Sequence, residues 1–190
     1  TAAKLELEEN NQCKPGELIY RNQPGYQQCK SLIAKGLQQC PESGLLYAFE
    51  IEIEPVASKK SKCVLAIKKC PNNVYVFTEV AKYFIQIRKL KRAKEWFERA
   101  IIADPTYGDA WAYYYWFTAT YLQRNAGSNN GNKEQQNILQ RCVSAAPKYG
   151  SLWIEISKKI GNESLSKKEI LGRVVSELIE PCNGFPIQVV

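Results

Sequence analysis

The chain of 190 residues contains no histidine and no methionine, and none of its seven cysteines forms a Cys-x2-Cys pair. Without histidine, the commonest general acid or base and the usual partner of a Ser or Cys nucleophile are missing. A zinc site would need Cys, Asp and Glu ligands alone, and no spacing here suggests one. No glycine-rich stretch runs into Lys-Ser or Lys-Thr, so a phosphate-cradling loop is absent too. The closest acidic cluster is Glu50, Glu52 and Glu54; alternation by two spreads these around a helix, and they read as a solvated face. No apolar run approaches the roughly 20 residues that cross a bilayer. Residues 1–10 are too polar and acidic for a secretory leader. These absences argue for a non-enzyme with no cofactor, no metal, no small-molecule substrate and no membrane contact. The cysteines read as reduced and structural in an intracellular protein, with Cys29, Cys63 and Cys142 serving as small buried hydrophobes. The Asn162-Glu163-Ser164 sequon is set aside, since no secretory context supports it. With no methionine even at position 1, the chain is expected to be a piece of a longer one.

What is present is regular punctuation. Prolines at 41, 71, 105 and 147 are separated by 30, 34 and 42 residues. The last interval holds Asn125-Ala-Gly-Ser-Asn-Asn-Gly-Asn132, a polar insertion of eight residues whose removal restores 34. Six residues after each proline stands an aromatic: Tyr47, Phe77, Trp111 and Trp153. A stack of helix pairs requires such a register, because each pair exposes an apolar face that only its neighbour covers.

The helices can be placed between these marks. Residues 2–10 read as the end of a first helix, and residues 11–25, with Pro15, Gly16, Pro24 and Gly25, as a loop. Tyr26–Cys40 follows, with Leu32, Ile33 and Leu37 as its stripe. The next helix opens at Ser43-Gly44 and ends at Pro55, which excludes helix from the residue before it. Ser58 is expected to cap 59–70, with Val64, Leu65 and Ile67 inward, and Asn73 to cap 74–86. Helices over 90–103, 110–122 and 133–146 follow, the last with Ile138, Leu139, Cys142 and Val143 inward. Ser151 is expected to cap 152–160. A final helix over about 166–180, stopped by Pro181, carries Ile170, Leu171, Val174, Val175, Leu178 and Ile179 on one face and Lys167, Lys168 and Arg173 on the other. That pattern closes the end of a stack.

The net charge of +7 is concentrated: residues 55–103 carry 12 basic and 3 acidic side chains. Two clusters account for it, Ser58-Lys-Lys-Ser-Lys62, and Arg88, Lys89, Lys91, Arg92 and Lys94. Such a rim is either solvated or a landing site for an acidic protein segment or RNA. No aromatic array for stacking bases interleaves with it.

Phe77, Val80, Ala81 and Phe84, then Ala93, Phe97, Ala100 and Pro105, stand where the tetratricopeptide pattern has its signature residues. Ala93-Lys-Glu-Trp-Phe-Glu-Arg-Ala100 is close to the second-helix pattern A-[RK]-x2-[FY]-[ED]-R-A of half-a-tetratricopeptide (HAT) repeats. In order along the chain, Leu37-Gln-Gln-Cys-Pro-Glu-Ser-Gly44, Ala66-Ile-Lys-Lys-Cys70, Gly108-Asp-Ala-Trp-Ala112, Arg141-Cys142, Gly150-Ser-Leu-Trp153 and Ser157-Lys158 add to the likeness. Over about residues 28–180 the chain resembles the C-terminal HAT repeats of the splicing-factor family that bridges parts of the spliceosomal tri-snRNP. It departs from the pattern at Tyr47, where Trp is expected, at Ile85, where an acidic residue is common, and in the segments 11–25 and 125–132.

The resemblance implies an all-α, right-handed α-α superhelix of about five helix pairs over 1–165, with a capping helix and tail over 166–190. It implies a nuclear scaffold whose partners are other spliceosomal snRNP proteins, with small nuclear RNA contacted at most indirectly. A generic peptide-binding tetratricopeptide adaptor and an RNA-binding module are the alternatives. The groove positions on the first helices are Tyr75, Thr78 and Lys82, then Asp109, Ala112 and Trp116, then Ser151, Ile154 and Lys158. Their mixed chemistry suits a broad protein contact better than a carboxylate clamp. The candidate partner-binding residues are Trp116, whose repeat position points into the concave face, Tyr75, Lys82 and Lys158, and the rim residues Arg88, Lys89, Lys91 and Arg92.

Overall fold

The computed structural model describes residues 24–122 and 127–182. The helix expected over 2–10, most of the loop before Pro24, Asn125, Ala126 and the last eight residues lie outside the described residues.

Nine α-helices form among the described residues: α1 (Pro24–Gln39), α2 (Gly44–Ile53), α3 (Val56–Lys69), α4 (Val74–Gln86), α5 (Leu90–Ala103), α6 (Gly108–Phe117), α7 (Gly127–Ala145), α8 (Ser151–Ser157) and α9 (Lys167–Cys182). A π-helical turn, Thr118–Leu122, continues α6. Helices α2/α3, α4/α5, α6/α7 and α8/α9 are packed neighbours, and α2, α4, α6 and α8 pack on one another in succession. The protein is an all-α helical-repeat solenoid.

The proline–aromatic register is the stacking interface. Tyr47, Phe77, Trp111 and Trp153 are all buried. In the third pair the link is direct, for the Trp111 indole N–H donates to the Pro105 carbonyl at 2.8 Å. Small residues face the first helices from the second ones: Ala66, Ala93, Ala100 and Cys142 are fully buried. Phe97 fills the space they leave, with its ring 5.6 Å from Tyr114 and 5.5 Å from Phe117.

Local signals explain the ends. Asn73 Oδ1 accepts from the Tyr75 and Val76 N–H groups and starts α4 at the expected residue. Helix α4 ends in a Schellman motif: the Lys89 N–H donates to Phe84 O and the Arg88 N–H to Ile85 O, with Arg88 at φ 59°. Ile170, Leu171, Val174, Val175 and Leu178 are buried, and α9 lies across α6, α7 and α8, as the apolar stripe predicts.

Several expectations change. Val64 and Leu65 are 47% and 41% exposed, and the inward face of α3 is instead Lys59, Cys63 and Ala66. Small residues, not large ones, face the neighbouring helix where backbones come close. Val143 is likewise exposed, at 44%, while Cys142 is buried as expected. Helix α3 begins at Val56, directly after Pro55, so Ser58 lies within the helix and does not cap it. Phe84 is half-buried, packed at the edge of the core. Residues 127–132, expected as loop from their poor helix formers, extend α7 by propagation from its anchored half. Helix α8 stops at Ser157 instead of Ile160, and α9 passes through Pro181, whose fixed φ is itself helical.

Candidate partner-binding surface

The three segments carrying the predicted site residues differ in how far their charges and rings are already engaged.

Along the groove, Lys82 is bound within the fold. Its ammonium group lies 2.6 Å from Glu79, 3.6 Å from Glu52 and 4.8 Å from the centre of the Tyr113 ring. Burial disfavours the charge, but Glu79, Tyr113 and Glu52 outweigh it and hold Lys82 well above the ordinary lysine value. Burial raises Glu79 despite the attraction of Lys82. Lys59, expected on the basic rim, is 8% exposed and donates to the Glu52 carbonyl at 3.2 Å; burial lowers its pKa. The acidic trio does diverge, as alternation by two requires, but only Glu52 is solvated: Glu54 is buried against Lys30 and Glu50 pairs with Lys62.

Tyr75 joins a tyrosine cluster spanning three pairs, its ring 4.9 Å from Tyr107 and 6.5 Å from Tyr149. Trp116 is half-buried and meets Tyr121 edge-on at 5.7 Å. Thr78, Asp109 and Ala112, also placed in the groove from sequence, are buried, whereas Ser151, Ile154 and Lys158 are exposed. Lys158 closes α8, its N–H bonded to the Ile154 and Ile156 carbonyls.

Asp109 has a role that sequence reasoning missed. Its carboxylate accepts from the N–H groups of Leu152 at 3.2 Å and Trp153 at 2.8 Å, capping α8 from the preceding pair. Ser151, the expected cap, contributes no side-chain bond. Burial raises the Asp109 pKa, and the backbone N–H groups oppose that. The approach is close enough to require glycine on both sides: a Cβ on Gly108 would stand 2.3 Å from Trp153, and one on Gly150, at φ 140°, 2.4 Å from Asp109. The repeated Gly-x-x-Trp spacing at 108–111 and 150–153 was the available signal.

The basic rim is narrower than the sequence suggests. Lys59 is buried, Lys62 pairs with Glu50 at 2.6 Å, and Lys94 pairs with Glu134. Arg88, Lys89, Lys91 and Arg92 remain exposed and form no ion pair among the described residues. They sit together on the α4–α5 turn and the first turn of α5, with the Arg92 guanidinium 5.9 Å from the Phe84 ring.

Cys29, Cys40, Cys63, Cys70 and Cys142 are free, and burial pushes the Cys63 thiol up to about 11 and the Cys142 thiol up to about 12, which keeps both unreactive. No group of three or more Cys, Asp or Glu among the described residues is placed to hold a metal. Asn162, in the sequon, is 4% exposed, with its amide bonded to the Ile156 carbonyl at 2.7 Å and to Arg173, so a glycan has no room there.

Stacked helix pairs, a proline–aromatic register and a second helix reading Ala-Lys-x-x-Phe-Glu-Arg-Ala define a helical-repeat protein of the tetratricopeptide and HAT kind. No family model matches the chain. It is 39% identical over 130 residues to Protein STABILIZED1 of Arabidopsis thaliana, a match covering 68% of this chain and 12% of that protein. It is 38% identical over 121 residues to Pre-mRNA-processing factor 6 of Homo sapiens, covering 63% and 12%, and 32% identical over 152 residues to Pre-mRNA-splicing factor prp1 of Schizosaccharomyces pombe, covering 80% and 16%. The chain belongs to the pre-mRNA-processing factor 6 family of splicing factors, and it spans 12–16% of the length of these relatives.

Proposed function

We propose that the chain is a scaffold segment of a nuclear splicing factor, bridging components of the spliceosomal tri-snRNP by protein–protein contacts. Its partners are other snRNP proteins, and small nuclear RNA is reached at most through them. Residues 1–165 act as a right-handed repeat array, and residues 166–190 as its cap and tail. The observation carrying this reading is the set of four exposed cations on a turn held by two backbone hydrogen bonds, beside a groove in which Lys82 is neutralised internally and Lys158 is exposed. A carboxylate clamp needs several cations converging in the groove, and with Lys82 already held by Glu79, Lys158 stands alone among the groove lysines. A charged rim on a fixed turn speeds and orients a docking protein, while the half-buried Trp116 supplies an anchor in the groove.

Pull-down from nuclear extract, with bound protein and RNA both identified, tests it. The wild-type chain is expected to retain snRNP proteins, and Trp116→Ala to retain less while its melting temperature barely moves. Reversing Lys89, Lys91 and Arg92 to Glu is expected to slow association. Direct RNA binding by the purified chain is expected to be weak, sequence-blind and lost at physiological salt. Tight, salt-resistant, sequence-selective RNA binding would replace the scaffold with an RNA-binding module.

A further inference from the structure

The closing pair holds a cleft that the repeat packing does not use. It has a volume of about 320 Å³ and lies between the α7–α8 turn, α8, the loop 158–165 and the start of α9. Its lining is mostly polar, and the apolar surface it offers is that of half-buried Leu165, since Trp153 and Ile170 behind it are 1% and 4% exposed. Around it stand Lys148, Lys158 and Lys167, each from a different segment. None of the three is in an ion pair among the described residues. The carboxylate in the lining, Glu163, is engaged by the Gly161 N–H at 3.1 and 3.2 Å. The walls are held in place. Asn162 bonds the Ile156 carbonyl and Arg173, and the Lys148 N–H donates to Thr106 O at 2.9 Å. Ile160, on the same loop, is 96% exposed.

Elsewhere in the stack three half-buried lysines meet a glutamate: Lys62 with Glu50, Lys82 with Glu79, Lys94 with Glu134. Around Lys148, Lys158 and Lys167 no carboxylate among the described residues pairs the charge, which leaves a positive potential beside the apolar surface of Leu165. We propose that this cleft receives an acidic segment of a protein partner, with an apolar side chain lying over Leu165 and flanking carboxylates meeting Lys148, Lys158 and Lys167. The proposal rests on the scaffold reading and adds one contact to it. A nucleic-acid strand would meet the lysines but find no ring to stack on, since Trp153 presents almost none of its surface.

The 190-residue chain is tested at physiological salt against three probes: a random Glu–Tyr copolymer, poly-glutamate and poly-uridine. Two triple variants are compared, Lys148→Glu/Lys158→Glu/Lys167→Glu in the cleft and Lys89→Glu/Lys91→Glu/Arg92→Glu on the rim. The copolymer is expected to bind more tightly than poly-glutamate, and the cleft variant to weaken it about tenfold or more, against less than about threefold for the rim variant. Leu165→Ser, checked for an unchanged helical spectrum, is expected to erase the copolymer's advantage. Equal losses from both triple variants, preference for poly-uridine, or no copolymer binding overturns the proposal. Its failure is separable from failure of the scaffold reading: if the cleft variant still retains every snRNP protein in the pull-down, only the cleft is wrong, and if the wild-type chain retains none, the scaffold is.

Discussion

The middle of the stack and its closing pair solve the same packing problem differently. Between α4/α5 and α6/α7 the helices are long, the filler is aromatic, and the charges are matched across the interface. Glu98 on α5 takes two bonds from Arg141 on α7, at 3.0 and 3.2 Å, and one from the Tyr114 hydroxyl on α6 at 2.6 Å. The closing pair has a first helix of only seven residues. Its attachment comes from backbone groups: Asp109 caps α8, the Gly108 N–H donates to Tyr149 O at 2.6 Å, and Lys148 and Tyr149 donate to Thr106 O. A short helix offers too little side-chain area to anchor itself, so the preceding pair reaches across with a carboxylate and two close-packed glycines. The same shortness leaves the cleft and its unmatched lysines.

The largest effect expected is on the aromatic filler in the middle. Phe97 is fully buried, and Phe97→Ala should cost about 3–5 kcal/mol of stability by denaturant unfolding. A cost near that of a surface change would mean the middle interface is not built on that ring.

Next comes the carboxylate cap. Asp109→Ala leaves the Leu152 and Trp153 N–H groups without their acceptor and should cost about 1–3 kcal/mol, with hydrogen-exchange protection lost first in α8 and α9. Asp109→Asn keeps an acceptor oxygen and sheds a charge that burial penalises, so it should cost less. Equal losses from both variants, spread evenly along the chain, would erase the distinction between the two regions.

The smallest effect concerns the matched charges. Burial raises the Glu98 pKa, but the bonds from Arg141 and Tyr114 outweigh that and hold it below the ordinary 4.5. A depressed carboxylate contributes stability above the unfolded value and loses it as pH falls through the folded one. The melting-temperature difference between wild type and Glu98→Gln should therefore be present at neutral pH and disappear on acidification below the usual carboxylate range. A difference that persists in acid would assign the effect to packing.

Much of this fold was legible before any coordinates. The proline marks and the aromatics six residues beyond them are local signals with a nearest-neighbour meaning, and all four aromatics are buried. Asn73 was readable as a cap because its acceptor serves its own helix. The stripe on α9 was readable because six apolar residues repeat at helical spacing. What was not legible depends on partners distant in sequence. Lys59 looks like any rim lysine, and only the placement of α2 beside it turns it inward. Val64 and Leu65 look like core, and only the packing of α3 against α2 and α4 gives the inward face to Cys63 and Ala66. Among the groove candidates, the neutralisation of Lys82 by Glu79 and Glu52 required α2 and α4 side by side.

The sequence alone therefore determined the class of the protein, its repeat register and its family, because these are written in spacings along a single chain. The tertiary structure decided which cations are free, which carboxylate holds the last pair and where a cleft remains. Those depend on distances between residues about 40 positions apart, such as Asp109 and Trp153, and a linear pattern carries no such distance.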